Sequence, residues 1–483
     1  MAEPGGLRAA VDALAAEAEQ QLAPEDAPFA SQIRAALMRP LAVAVVGRVS
    51  SGKSTLVNAL IGSPIAATDA TDCTTVVTWF RHGRHPAASV VRHDGSEVPL
   101  LISTTGTLPT QLPVPLEEVD RVEVREAADA LRRMVLVDTP GLANARGEHS
   151  SRTERLMGDR SGAEAQRADA VVFVFNGSLK ADEAEAVDVF LRGESAPDVA
   201  GTIGVLTKAD IGPGPDPLGA AQQVADTLAR EHTRLFSTVV AVGGLLAETV
   251  RCGRLTEAHA RAVAALADAW DEPFGEIALS DVDVFSAAEG PVEAAERREL
   301  LRRLGLHGVR LCLAEARAGR RRAHELNASL AGASGFARLE DALDRGLGAR
   351  VDALKARRGL GMLSDLAYGL RPGQEAEPPA AAQEGRRWLR ARLEEAVDSP
   401  ALQPLALLEA AHLVNTGRVA LPEPLEADLR ALVGALPGLP DAGPGGQALQ
   451  RWRGFALLAA PPQRAVASAA IRTWELAFLQ GSG

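Results

Sequence analysis

The stretch Gly47-Arg48-Val49-Ser50-Ser51-Gly52-Lys53-Ser54 has the spacing G-x-x-x-x-G-K-[ST], a pattern whose chemistry is phosphate binding. It follows an unbroken apolar run, Leu41–Val46, and precedes a helical pattern carried by Leu56, Leu60 and Ile61. That strand–loop–helix setting is what the motif requires. Glycines let backbone N–H groups turn inward on phosphate oxygens, and the helix that follows adds its partial positive charge. Gly47, Ser51, Gly52, Lys53, Ser54 and Thr55 are therefore the expected phosphate-binding residues. Lys53 would set a point charge against the β- and γ-phosphates, and Ser54 would offer a hydroxyl to Mg2+. The alternative, a chance match in a Gly-rich turn, is disfavoured by the flanking strand and helix.

Two further motifs follow in order, each at the end of an apolar run. Asp138-Thr139-Pro140-Gly141 would hold Mg2+ through Asp138 and sense the γ-phosphate with the Gly141 N–H. Thr207-Lys208-Ala209-Asp210 fits [NT]-K-x-D. Asp210 would accept both hydrogens of the guanine N1/N2 edge, which adenine does not offer, so a wrong base leaves a buried carboxylate unpaired. Lys208 would lie along the base. Val242-Gly243-Gly244 sits where a loop backing the base should come, with Val242 and Gly243 as its contacts and glycine N–H groups facing the guanine oxygen. Thr71-Asp72-Cys73-Thr74-Thr75 is the candidate switch segment, with Thr74, or alternatively Thr75, closing on Mg2+ and the γ-phosphate. The expected ligands are thus GTP or GDP with Mg2+. The metal would be held by Ser54, Thr74 and Asp138.

Composition adds an independent check. Only four lysines stand among the 51 basic Lys and Arg residues: Lys53, Lys180, Lys208 and Lys355. Two of them occupy motif positions where a compact ammonium is needed and a guanidinium fork does not substitute.

Short apolar runs at Val76–Phe80, Met134–Val137, Ala170–Phe175, Thr202–Leu206 and Thr238–Val242 read as buried strands, mostly separated by helical patterns. Strands alternating with helices predict a mixed, mostly parallel α/β sheet of the P-loop type over residues 40–290. Leu7, Val11, Leu14, Ala18 and Leu22 predict a helix before it, in an N-terminal helical segment 1–39. From 291 to 483 only helical patterns remain, which predicts an all-α bundle or trunk. The net charge of −12 and pI near 5.4 speak against nucleic-acid partners. Three widely spaced cysteines, Cys73, Cys252 and Cys312, read as reduced thiols of a cytoplasmic protein. No secretory leader and no membrane-spanning run is evident.

Taken together, GRVSSGKS, the D-C-T stretch before V-V-T-W-F, DTPG, TKAD, VGGLLAE and the segment SGFARLEDALDRGLGARVDALKA resemble the dynamin superfamily. The likeness is greatest to bacterial dynamin-like GTPases of the actinobacterial isoniazid-inducible type. The resemblance implies GTP hydrolysis coupled to pairing of G domains, in a homodimer or with a paralogue, and remodelling or fusion of an anionic membrane. Localisation would be peripheral, on the inner face of the cell membrane. It also implies that Ser50 helps bind a charge-compensating cation and that Lys53, Ser50 and Thr74 serve catalysis. At Val49 the family carries a water-orienting glutamine, which valine cannot replace, so hydrolysis would need another water-positioning group. The family's bundle further suggests that Leu7–Leu22 packs with Val466–Phe478. Candidate lipid contacts are the cluster Arg317, Arg320, Arg321 and Arg322 and the apolar Leu436–Leu439, each of which also reads as an ordinary helix face or loop. A soluble regulatory switch acting on protein partners is the competing expectation.

Overall fold

The computed structural model describes residues 6–66, 76–140, 168–187, 201–369, 380–435 and 445–481, apart from positions 104, 105, 110, 182, 186, 213, 215, 398, 416 and 418. Its centre is a nine-stranded sheet in the order β4-β3-β5-β2-β6-β1-β7-β8-β9. The strands are β1 Leu41–Gly47, β2 Thr78–His82, β3 Ala87–Arg92, β4 Glu97–Leu100, β5 Val119–Glu126, β6 Met134–Asp138, β7 Ala170–Asn176, β8 Thr202–Thr207 and β9 Thr238–Val242. From β6 through β1, β7 and β8 to β9 every pairing is parallel. These strands are Val-rich and buried on both faces, which is why they read as unbroken apolar runs. Beyond β6 the sheet changes character: β2 runs antiparallel to β6, and β3 is antiparallel to both β4 and β5.

β3, β4 and β5 were not expected. In β5 the buried Val119, Val122 and Val124 are interrupted by Asp120, Arg121, Glu123 and Arg125. One face of that extension is polar, so its apolar content never forms a run.

One face of the sheet packs against α3 (Lys53–Ile61) and against Phe336, Leu339, Leu343 and Leu347 from far along the chain. The other carries the rings of Phe173, Phe175 and Phe236, with Phe175 and Phe236 stacked at 6.1 Å, beneath the helix Pro217–Glu231.

The helices from 294 onward divide among distinct cores. Ala294–Arg317 and Ala323–Ala333 pack with Gly244–Arg251 and Glu257–Ala269 beside the sheet. Val351–Tyr368 and Ala380–Val397 join α1 (Gly6–Gln21) and α2 (Ala27–Met38) in a bundle. There Leu7, Val11, Leu14, Ala18 and Leu22 are all buried, and Asp26 meets Arg386 in a buried bidentate pair at 2.7 and 3.0 Å. Gln403–Asn415, Glu423–Gly434, Gly445–Leu458 and Pro461–Gly481 form a last cluster around Trp452. The expected packing of Leu7–Leu22 against Val466–Phe478 is corrected here. Val466, Ala470 and Trp474 bury in the last cluster around Trp452, while the apolar stripe of α1 is filled by Val351–Tyr368 and Ala380–Val397.

Sheet and bundle are joined by one polar knot. Asp169, just before β7, accepts the Ala42 N–H at the start of β1 at 2.8 Å and the Lys355 Nζ at 2.9 Å. Lys355 also donates to Ala36 O at the end of α2, at 3.0 Å. Both ionic side chains are buried, at 3% and 6% exposure, and Arg358 Nε stands 3.8 Å from the second carboxylate oxygen. Burial lowers the Lys355 ammonium below its ordinary pKa, and Asp169 pulls it back up. Removing one partner of a buried pair costs about 3–5 kcal/mol, because the other charge is stranded. Lys355→Met should therefore lower the urea midpoint markedly, with Arg358 holding the loss near the lower end. Adding Asp169→Asn, which removes the charge and keeps an acceptor for the Ala42 N–H, should recover much of it; a double variant no better than the single would show that the charge pair is not the source.

Candidate functional site

The three motifs meet at the carboxyl ends of β1, β6, β8 and β9, the edge where open α/β sheets bind ligands. Gly47 ends β1 against β7, and a Cβ there would stand 2.2 Å from Val174 O, so only glycine lets the strand run into the loop. Ser50 turns the loop with φ of 62°, a left-handed conformation unusual for a residue with a side chain. Gly52 follows at φ 93° and caps α3. Lys53 is the first residue of α3; its Nζ donates back across the loop to Arg48 O at 3.0 Å. Burial lowers its pKa and the charge of Asp138 raises it. Ser54 and Thr55 follow on the same first turn, both half-buried.

Asp138 ends β6 opposite Val45 of β1 and Thr78 of β2. The residue is half-buried, and its buried Oδ1 has no hydrogen-bond partner among the described residues. Burial pushes its pKa up to about 6, against the pull of Lys53. Thr139 fastens the next residue by donating its hydroxyl to Val45 O at 3.0 Å. Gly141 and the switch threonines Thr74 and Thr75 lie outside the described residues.

The Thr207 hydroxyl lies 2.6 Å from Ser51 O and 2.9 Å from Phe175 O, sharing its proton between the phosphate loop and β7. It thus ties the end of β8 to the loop after β1. Lys208 takes a left-handed φ of 57° and leaves its side chain exposed, while Asp210 is 6% exposed. Burial raises the Asp210 carboxyl, and His307 pulls it down.

Val242 ends β9, and Gly243 comes so close to Asp210 that a Cβ would be 3.2 Å from its Oδ1. The expectation that Gly243 turns its N–H to the base needs correction: that N–H donates to Ser334 O at 2.8 Å. What Gly243 contributes is close approach.

The corner Ser334–Gly335 and His307 were missed by the sequence reading. Gly335, at φ 69°, allows the corner to lie on Ala241 O, which a Cβ would approach to 2.4 Å. His307 follows a break in the helix Ala294–Arg317 at Gly305, φ 61°. Ser334 and Gly335 open the segment SGFARLEDALDRGLGARVDALKA, which was read only as helix, and His307 carries no motif.

The family model for the dynamin family matches residues 43–209, which include the phosphate-loop and Asp138 motifs and end one residue short of Asp210. The isoniazid-induced protein IniC of Mycobacterium tuberculosis is 37% identical over 337 residues, covering 68% of this chain and 67% of its own. The chain belongs to the dynamin family. Among solved structures, an oligomerised bacterial dynamin pair matches 98% of this chain and 72% of its own at 11% identity and a TM-score of 0.32. Era of Aquifex aeolicus, bound to GDP and AlF4-, matches 43% of this chain and 52% of its own at 19% identity and a TM-score of 0.25.

As a dynamin, the chain is a GTPase, and Val49 in its phosphate-loop motif is 68% exposed. All four arginines of the basic cluster flagged in the sequence are exposed, and three of them have partners within the protein. Arg321 grips Asp268 at 2.9 and 2.6 Å, Arg320 pairs with Glu315, and Arg317 donates to Trp270 O at 3.1 Å. Leu436–Leu439 lie outside the described residues.

The raised Asp138 pKa carries a sign that can be checked. A carboxyl titrating at about 6 when folded and near 3.8 otherwise stabilises the fold fully below pH 3.8 and loses that contribution as pH rises through 6. Asp138→Asn should therefore stabilise the nucleotide-free protein at pH 7, by up to about 3 kcal/mol, and flatten its stability between pH 4 and 7. Thermal melts across that range test this; an Asn variant less stable than wild type at pH 7 would refute it.

Proposed function

We propose that this dynamin hydrolyses GTP with Mg2+ in the site running from Lys53 to Asp210. Pairing of two such domains, from a second copy or a paralogue, then drives remodelling or fusion of an anionic membrane at the inner face of the cell. The residues present suit the metal. Asp138 Oδ1 is a buried carboxylate oxygen with no partner among the described residues, a raised pKa and an ammonium nearby, which is the state of a ligand awaiting a cation. Ser54, beside Lys53 on α3, and Thr74 are its companions. When bound, Mg2+ would neutralise charge on the β- and γ-phosphate oxygens.

The chain's own groups do the rest. Lys53 meets charge that builds on the transferred phosphoryl group, and the backbone N–H groups of Gly52 to Thr55 surround the phosphates at the start of α3. Asp210 accepts from the guanine edge, and burial makes that contact selective because a mismatch strands the carboxylate. Ser50 is the candidate for the compensating cation. With valine at position 49, the attacking water must be oriented by a backbone carbonyl or by the paired domain. This predicts that turnover per molecule rises with protein concentration; a rate independent of concentration would exclude activation by pairing.

The observation that carries the membrane part is the corner between the last two helices. Leu457 and Leu458 are adjacent there, and they are 81% and 92% exposed. The corner is well fixed: Gln463 donates to Ala420 O at 2.9 Å and Arg464 to Ala459 O at 3.0 Å. Burying both leucines in lipid is worth about 3–6 kcal/mol. Two side chains fall far short of the about 800 Å² per partner that a stable protein interface needs. No helix among the described residues is long and apolar enough to cross a membrane. Leu457→Asp with Leu458→Asp should abolish flotation with anionic vesicles and leave GTP turnover in solution intact. Wild type that binds no anionic vesicle in any nucleotide state would instead favour a switch acting on protein partners.

A further inference from the structure

A pair of buried polar side chains outside the nucleotide motifs joins the two ends of the site. Asn58, on the second turn of α3, is 1% exposed, and its amide is fully engaged. Nδ2 donates to Glu248 Oε1 at 2.8 Å and to Ala66 O at 3.2 Å, while Oδ1 accepts the Ala66 N–H at 2.7 Å. Glu248, 2% exposed, belongs to the helix Gly244–Arg251 and also pairs with Arg254 Nη1 at 3.0 Å. Burial pushes its carboxyl up, and Asn58 and Arg254 bring it down.

The placement matters because of what each helix begins with. α3 starts at Lys53, at the phosphate end. The second helix starts beside Gly243, against Asp210, at the base end. The two run close together at their starts, where a Cβ on Gly244 would stand 3.6 Å from Thr55 Cγ2. A guanine nucleotide has a fixed length and must engage both ends at once. Its affinity therefore depends on their spacing, as that of any ligand gripped at two points does.

We infer that Asn58 and Glu248 are positioning residues that set the spacing between the phosphate-binding and guanine-binding halves of the site. The 2.8 Å bond is a polar bridge between the two helices, and both groups are too buried to touch the nucleotide. A purely apolar contact would resist separation without fixing register, whereas a directional bond with all three partners satisfied fixes both. The inference rests on Lys53 and Asp210 being the two ends of one guanine-nucleotide site.

The test compares a two-ended ligand with its halves. Affinity for GDP is measured by titration, and guanosine and tripolyphosphate are measured as competitors, for wild type, Asn58→Ala, Asn58→Ser, Glu248→Leu and Glu248→Gln. Asn58→Ala and Glu248→Leu should bind GDP about tenfold to a hundredfold more weakly, the scale of an ångström's misplacement. The same variants should hold guanosine and tripolyphosphate within about twofold of wild type, as independent sites would. Glu248→Gln keeps the acceptor for Asn58 and should stay near wild type. Asn58→Ser leaves a smaller gap than alanine with a misplaced hydroxyl, and decides the matter where Asn58→Ala does not fold. Equal losses for GDP and both halves, or no loss in Asn58→Ser, would overturn the inference. Lys53→Ala and Asp210→Ala separate the two claims: if neither weakens GDP binding, the reading of the site itself fails.

Discussion

One buried carboxylate holds the architecture together. Asp169 ties the start of β1 to the start of β7 and draws Lys355 in from a helix of the bundle, which in turn closes the end of α2. The strands it joins carry the phosphate loop and the Phe175 carbonyl at their other ends. A buried ion pair adds little net stability compared with apolar packing, because desolvation offsets the Coulomb gain. It does impose a single arrangement, since any other leaves two stranded charges. Lys355 is one of only four lysines in the chain, and its compact ammonium reaches a carboxylate and a carbonyl at once.

Burial is also what prepares the site. Asp138, Lys53 and Asp210 are all shifted toward their neutral forms by removal from water. Left empty, such a cluster is a strain on the fold. Filled with a nucleotide and the proposed cation, each charge finds a partner in a medium where pairing is strong. The same logic extends to Glu248 and Asn58, which are equally buried but satisfied within the protein.

The chemistry-bearing residues were legible because each motif follows a strand whose both-sided burial forces an apolar run. Leu41–Val46, Met134–Val137 and Thr202–Leu206 announced themselves, and Lys53, Asp138 and Asp210 fell at their ends. β3 to β5 escaped because a strand with one polar face mixes charge into its pattern. The helices after 294 were legible as helices, yet their division among cores was not. An amphipathic stripe states that a face is buried and is silent about which neighbour buries it.

The sequence by itself determined the motifs and their order: a glycine-rich loop after β1, an acid at the end of β6, an acid after β8, and a lysine in two of those three motifs although the chain has only four. These depend on residue type and short spacing, which the chain carries intact whatever its fold. Tertiary structure alone decided that Ser334 takes the Gly243 N–H, that Lys355 meets Asp169, and that Asn58 bridges to Glu248. Each joins residues far apart in the chain through a contact chosen by global packing, and no local pattern encodes such a partner.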